Sequence, residues 1–293
     1  MKRILITGAQ SYIGTSIEKY LNQPQFSGMY QVETLDMQNL DWKKTDFSRF
    51  DSVFHVAGIA HADVGKVSED RKKFYYKINT ELAVETAEKA KKEGVKQFIF
   101  MSSMIIYSGC KETLITKKTK PKPLNFYGDS KWKADHKIRK MEDESFKVVV
   151  LRPPMIYGKE SKGNYLELSR LAGKLPVFPY VKNQRSMLYI GNLCRFVQLI
   201  IDNNERGIFF PQNREYTVTS DMVRLIARAK HHHIFLVHGF GWMVKLMMKL
   251  PGKLGGMAGK AFGDLSYEMS MSEYREDYRI YNLSESIRCI ETK

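Results

Sequence analysis

A hydroxyl, a phenol and an amine that could act together on one proton fall within residues 98–131, in the order FIFMSSMIIYSG, a basic connector, then NFYGDSK. The first segment reads as a buried strand that delivers Ser102 and Ser103 at its carboxyl end. In the second, Tyr127 precedes Lys131 by four residues at the start of the helical pattern SKWKADHKIRK, a spacing that sets both on one helix face. A phenol ordinarily titrates near pH 10, and a nearby ammonium favours its ionised form. Tyr127 could then take a proton from a hydroxyl or give one to a ketone. Ser103 would hydrogen-bond the oxygen whose charge changes. A nicotinamide would exchange hydride at the same carbon. A second Tyr-x-x-x-Lys pair, Tyr107 and Lys111, spans Ser108 and Gly109. No helix is expected there to hold the spacing, so the pair is read as accidental.

The elements that must position these groups follow from the rest of the chain. RILIT (3–7) reads as a strand, GAQSYIG as a glycine turn and IGTSIEKYL as a helix, the sequence of a phosphate cradle at a helix N-terminus. Gly8, Ser11, Tyr12, Ile13 and Gly14 are its candidate nucleotide contacts. Ser11 stands where a middle glycine is common and offers its hydroxyl as a further donor. The next strand, YQVETLD, ends at Asp36, placed to bind ribose hydroxyls and repel a 2′-phosphate, which favours NAD over NADP. SVFHVAG ends in Val56, Ala57 and Gly58, small enough to pass beside a cofactor. His61 follows as a loop histidine, either a substrate contact or a surface residue. Residues 70–93 have helical periodicity and include Asn79, whose amide could tie neighbouring strands and which joins Tyr127 and Lys131 among the candidate cofactor contacts. A helix over 129–141 leads to FKVVVLRPPMIYG, where Pro153 and Pro154 stop the strand. Alternating strands and helices imply βαβ units and a parallel sheet whose ligands lie beyond the carboxyl ends of the strands.

A chain of 293 residues with 43% hydrophobic content suits one large or two moderate globular domains. The net charge of +15 suits an anionic partner, although Lys89, Lys91, Lys92 and the lysines of 117–122 read as solvated faces. Cys110, Cys194 and Cys289 have neither even number nor metal spacing, so no metal site is expected and a reducing cytoplasm follows. MKRILITG has no signal-peptide pattern. From about residue 157 the texture changes to glycine-rich loops and later Met-rich and aromatic segments. The expected division is a nucleotide-binding domain over 1–156, to which 186–203 returns, and an interleaved substrate lobe over 157–293. Arg185 is its candidate for clamping a diphosphate. The adjacent His231, His232 and His233 would diverge on a helix, against metal binding. The segment 231–250, with Lys245, Lys249, Lys253 and Lys260 following its apolar run, could pack on the lobe or lie on an anionic membrane.

TGAQSYIG, HVAG, FMSSMIIYSG, YGDSK, LRPPMIYG and QRSMLYIGNL occur in this order across roughly residues 1–200. In them the sequence resembles the extended short-chain dehydrogenase/reductase family, the NAD-dependent epimerases and dehydratases of nucleotide sugars. The resemblance implies a Rossmann-type α/β fold with NAD bound, a Ser103–Tyr127–Lys131 catalytic set, and a nucleotide-diphosphate sugar held by Asn164 and Arg185. Met104 and Pro154 fall within the matched segments and join the substrate and cofactor contacts respectively. The family's 4,6-dehydratases carry an Asp-Glu pair after the catalytic hydroxyl residue, whereas Met104 and Ile105 follow Ser103 here, which disfavours dehydration. The resulting expectation is C4 oxidoreduction of a UDP-hexose or UDP-N-acetylhexosamine for surface polysaccharide, by epimerisation or 4-keto reduction. The resemblance also implies a homodimer, and no nucleic-acid partner is expected. The alternative is a non-catalytic dinucleotide sensor that binds a macromolecule through its basic surface.

Overall fold

Strands of a sheet covered on both faces are rich in apolar side chains, as Phe98–Met101 and Val148–Leu151 are here, with Thr7, Ser52, His55 and Gln97 as buried polar exceptions. The computed structural model describes residues 1–59, 67–161, 163–250 and 253–292. Its main sheet comprises β1 (Lys2–Thr7), β2 (Tyr30–Leu35), β3 (Ser52–His55), β4 (Gln97–Met101), β5 (Lys147–Leu151) and β6 (Gly207–Phe209). They are parallel, in the order β6-β5-β4-β3-β1-β2. Alternation along each strand divides the core. Ile4, Ile6, Phe54, Ile99, Met101, Val149 and Leu151 face one side with Ile17 and Leu193. Leu5, Val53, Phe98, Phe100, Val148 and Val150 face the other with Ala83, Ala87, Ala134 and Ile138, as a period of two requires.

The helices over these faces are α1 (Tyr12–Leu21), α3 (Ala83–Lys92), α4 (Phe126–Arg139) and α6 (Ile190–Asp202); α2 (Glu69–Tyr76) precedes α3 and packs on α4, and α5 (Asn164–Ala172) belongs to a separate core. Leu193, Phe196, Val197 and Ile200 of α6 join Ile17 and Leu21 of α1 in one core with the sheet. This is a Rossmann-type fold. From β1 the chain goes to β2 on one side and then to β3 on the other, so a crevice opens beyond the ends of β1 and β3, where nucleotides bind in such sheets. Between β2 and β3 there is only a short 3-10 turn, Leu40–Lys44, pinned by buried Trp42 and Phe47.

Two helices differ from expectation. The helical stretch over 70–93 is interrupted by a π-helical segment, Lys77–Leu82, which lies between α2 and α3 and carries buried Asn79 and Thr80. Such bulges re-aim side chains that regular spacing would turn away. α4 starts at Phe126, ahead of the expected 129, because the Asn125 side chain caps it by accepting the Gly128 N–H at 2.9 Å. Tyr127 therefore lies in the first helical turn.

The remaining helices are α7 (Thr219–Ala229), α8 (Gly241–Met248), α9 (Lys253–Phe262) and α10 (Leu283–Glu291). α5, α7 and α10 share a core with Tyr157, Leu168, Met222, Ile226 and Ile287. Short parallel pairs tie this region to the first half of the chain. Leu114–Ile115, from the connector before α4, pairs with Ser266–Tyr267, and Met155–Tyr157 pairs with Met187–Tyr189. Among the described residues no helix is long and apolar enough to cross a membrane.

Candidate active site

The glycine turn is shaped by close approach. Gly8 has φ +106°, and a Cβ there would lie 2.7 Å from the Ala57 nitrogen, so β1 and β3 come together only with glycine at this position. Gly8 and Ala9 donate their N–H groups to the Leu35 carbonyl at 2.9 and 3.1 Å, closing the turn onto β2. Ser11 caps α1 by accepting the Gly14 N–H at 3.1 Å. Its oxygen is thus engaged in the cap, while its hydroxyl proton stays available. In this first turn the Tyr12 and Ile13 N–H groups have no acceptor among the described residues, leaving two donors at the positive end of the helix dipole. One residue beyond β2, exposed Asp36 accepts the Gln38 N–H through Oδ1 at 2.9 Å. Its other oxygen has no hydrogen-bond partner among the described residues.

At the end of β4 the proton-bearing groups meet. Ser103 Oγ accepts the Ile105 N–H at 3.2 Å, so its proton is free to be donated. The Ser103 side chain lies against the Tyr127 phenol and favours its ionised form. The Tyr75 ring stands edge-on to Tyr127, with centroids 6.2 Å apart. One turn along α4, Lys131 is buried and donates to the Met101 carbonyl at 3.1 Å. Its amine also borders Gly58, where a Cβ would come within 3.0 Å of Nζ.

Electrostatics corrects one expectation. Burial pushes the Tyr127 phenol up to about 12, Tyr75 adds to the rise, and the Ser103 hydrogen bond opposes it. Burial likewise lowers the Lys131 amine to about 8. Lys131 is not among the groups that lower the phenol, its amine being turned to the Met101 carbonyl. Beneath them His55 is held neutral, down at about 3 through burial first and the Lys131 charge second. Its Nδ1 pairs with Thr7 Oγ1 at 2.8 Å.

The model of the family described as NAD dependent epimerase/dehydratase matches residues 4–218. The chain belongs to this family. It is 30% identical over 278 residues to a UDP-glucose 4-epimerase of Vibrio cholerae, covering 86% of this chain and 83% of that one. It is 28% identical over 222 residues to the N-acetyl-α-D-glucosaminyl-diphospho-ditrans,octacis-undecaprenol 4-epimerase of Escherichia coli O157:H7, covering 70% of this chain and 64% of that one. Among solved structures, the UDP-glucuronic acid 4-epimerase of Bacillus cereus, in complex with NAD, superimposes with a TM-score of 0.72 at 16% identity, covering 99% of this chain and 95% of that one.

NAD is the cofactor of this family, and the residues around the crevice suit it. The Gly8–Ala57 approach leaves backbone facing backbone, the Tyr12 and Ile13 N–H groups suit a pyrophosphate, and Asp36 suits ribose hydroxyls. Val56, Ala57 and Gly58 follow β3 beside this turn, and Pro154 is buried in the loop after β5.

Other candidates have different surroundings. Asn79 does not tie strands. Its Oδ1 accepts the Ile59 N–H at 2.8 Å, and its Nδ2 donates to the Ile59 carbonyl and to Ser130 Oγ, both at 3.2 Å. Both amide protons are thereby used to hold the Gly58–Ile59 backbone against α4. Met104 is 5% exposed and packs with Ile106, Tyr107, Tyr267 and Met271, so its side chain serves packing. Arg185 is half-buried, with Nη1 donating to the Gly263 carbonyl at 2.7 Å. Half-buried Asn164 opens α5. His61 lies outside the described residues. Tyr107, of the rejected pair, is buried and accepts from Arg152 Nη1 at 2.7 Å.

That last bond belongs to a network that sequence reading missed. Asp135, four residues past Lys131, takes Arg152 in a bidentate pair with both bonds at 2.9 Å. It also accepts from Arg139 and from Ser102 Oγ, each at 2.9 Å. Asp135 and Arg152 are buried, and the guanidinium lies 5.5 Å from the Trp132 ring centroid. The network fixes Ser102, and with it the strand end that presents Ser103. An acid four residues beyond Lys131 on a basic helix, and an arginine at a strand end, were its available signals. Among the described residues no group of three or more His, Cys, Asp or Glu side chains could hold a metal ion.

Proposed function

We propose that the protein catalyses NAD-dependent oxidoreduction at C4 of a UDP-linked hexose or N-acetylhexosamine, as a 4-epimerase in surface polysaccharide synthesis. The observation that carries this reading is the grouping at the end of β4: Tyr127 beside Ser103, with the Lys131 amine against Gly58. When bound, NAD supplies the hydride acceptor and donor. Tyr127 takes the proton of the 4-hydroxyl on oxidation and returns it on reduction. Ser103, its oxygen oriented by the Ile105 N–H, donates to the C4 oxygen as that oxygen changes charge. Lys131, whose amine borders Gly58, would hold the nicotinamide ribose, and its positive charge favours the phenolate. Burial holds the Tyr127 phenol high, near 12, so the lysine charge has to offset that rise before the phenol can take the 4-hydroxyl proton. Asn164 and Arg185 would hold the diphosphate.

The names of the relatives support the 4-epimerase reading, and the undecaprenol-linked one among them supports a role in polysaccharide assembly. Reduction of a 4-keto sugar made elsewhere uses the same three residues and differs only in whether the nucleotide leaves after one hydride transfer. Dehydration is disfavoured because Met104 and Ile105 supply neither acid nor base. A cytoplasmic homodimer completes the proposal.

Tyr127→Phe is the decisive variant. It should keep NAD, seen as nucleotide absorbance in the purified protein, and lose turnover of UDP-sugars by about two to four orders of magnitude. Turnover near that of the unaltered protein would remove the phenol from the reaction and favour a dinucleotide sensor. Co-purified NAD separates the two catalytic forms: an epimerase retains it, whereas a reductase exchanges it.

A further inference from the structure

The segment 235–250 turns large apolar side chains toward solvent. Phe235 is 72% exposed, Trp242 68% and Leu246 57%, and Phe240, Met243 and Leu250 are exposed beside them. Val244 is the one buried side chain of α8. Phe235–Val237 pairs with Val177–Pro179 and brings exposed Val177 to the same surface. A concentration of exposed apolar side chains of this kind within one segment is a candidate docking face.

The charge around this face points to its partner. Between Asp221 and Asp264 the chain contains no carboxylate but seven Lys and Arg residues. Lys245 and Lys249 lie one turn apart, both exposed and neither in an ion pair among the described residues. Next to the Phe235 strand, Arg170, Lys174, Lys230, His231 and His232 line a hollow of about 500 Å³, adjoining the apolar strands through the Phe235 N–H to Pro176 carbonyl bond of 2.9 Å. Lys230 is already paired with Glu291 at 3.3 Å, whereas Arg170 and Lys174 have no such partner among the described residues. A second copy of this face would set like charges against each other. Aromatic residues interleaved with lysines and free of acids are suited instead to the headgroup level of an anionic bilayer, where apolar rings enter the acyl boundary and lysines meet phosphates.

We propose that residues 235–250, with Val177 and the cationic hollow, dock the protein on an anionic lipid surface. The docked lobe also carries Arg185, which is bonded to the Gly263 carbonyl just beyond α9. The inference does not depend on which sugar is turned over. It places the enzyme beside membrane-bound steps that use its product.

Flotation of the full chain with phosphatidylcholine vesicles, and with mixed phosphatidylcholine and phosphatidylglycerol vesicles, tests this. Binding is expected only with the mixed vesicles, weakened by salt. It should come with a blue shift of Trp242 emission, since Trp42 is buried and Trp132 half-buried. Leu246→Glu, and separately the pair Lys245→Glu with Lys249→Glu, should weaken binding about ten-fold or more without altering turnover. The exposed lysine pair preserves the test if Leu246→Glu fails to fold. No binding by the unaltered protein, or equal binding by both variants, overturns the proposal. So does a dimer that Leu246→Glu converts to monomer with no lipid binding, which would assign the face to a second copy.

Discussion

The end of β4 and the outer surface of the lobe satisfy their side chains in opposite ways. At the strand end, polar groups are buried and answered by neighbours: Asp135 by two arginines and a serine, Asn79 by the Ile59 backbone and Ser130, Lys131 by a carbonyl. Along α8, apolar groups such as Trp242 and Leu246 are exposed. The first arrangement fixes geometry, because a half-satisfied buried network costs more than none. The second leaves surface for an external partner. Positioning and docking are thus assigned to separate parts of one chain, and substitutions should separate them.

The largest effect on stability is expected at Asp135. Asp135→Ala leaves the Arg152 guanidinium buried without its counter-charge and should cost about 3–5 kcal/mol, read from the denaturant midpoint. Asp135→Leu combined with Arg152→Met should recover much of that loss, since an apolar pair can replace a buried ion pair. Turnover should remain low in the double variant because Ser102 loses its acceptor. If the double variant is as active as the unaltered protein, the network stabilises the fold without placing the serines.

Lys131 should behave in the opposite sense. Its amine is buried with only the Met101 carbonyl as acceptor, and its pKa falls from 10.5 to about 8. At about 1.4 kcal/mol per pH unit this corresponds to roughly 3 kcal/mol of penalty on the charged form. Between pH 8 and 10.5 the unfolded chain holds that proton more tightly than the folded one, so stability should rise with pH across that window. Lys131→Met should be more stable near neutrality, should flatten this dependence, and should lose turnover. Urea titrations at several pH values check the slope, and an unchanged slope would mean that the amine is not desolvated.

The same contrast explains what the sequence disclosed. The strands, the glycine turn and the place of Tyr127 were legible because each rests on local pattern: apolar runs, a turn before a helix, a four-residue spacing. The early start of α4 is encoded in Asn125, whose side chain caps the helix, ahead of the 129–141 expected from the pattern that follows it. The π segment was illegible, since its cause is the tertiary fit of Asn79 and Thr80 onto Ser130. Met104 was read for its place beside Ser103, whereas Tyr267 and Met271, far along the chain, bury it. The Tyr127 pKa could not be read from spacing, because burial outweighs a cation engaged elsewhere. The pairing of Leu114–Ile115 with Ser266–Tyr267 is likewise a long-range contact with no local signal.

Asp36 is expected to show the smallest effect, and it isolates the cofactor end of the crevice from both regions. The side chain is exposed, and one carboxylate oxygen is engaged only with the Gln38 N–H, so its removal should leave stability within about 0.5 kcal/mol. Its loss removes an acceptor for ribose hydroxyls and a charge that repels a 2′-phosphate. Asp36→Ala should therefore bind NAD about ten-fold more weakly, as expected for a lost charge-assisted hydrogen bond of about 1.5 kcal/mol. Affinity for NADP should stay the same or rise, both being measured by titration calorimetry on nucleotide-stripped protein. An unchanged ratio of the two affinities would show that the carboxylate points away from the ribose. Discrimination would then have to come from the backbone between Asp36 and the Leu40–Lys44 turn, where no arginine stands to receive a phosphate.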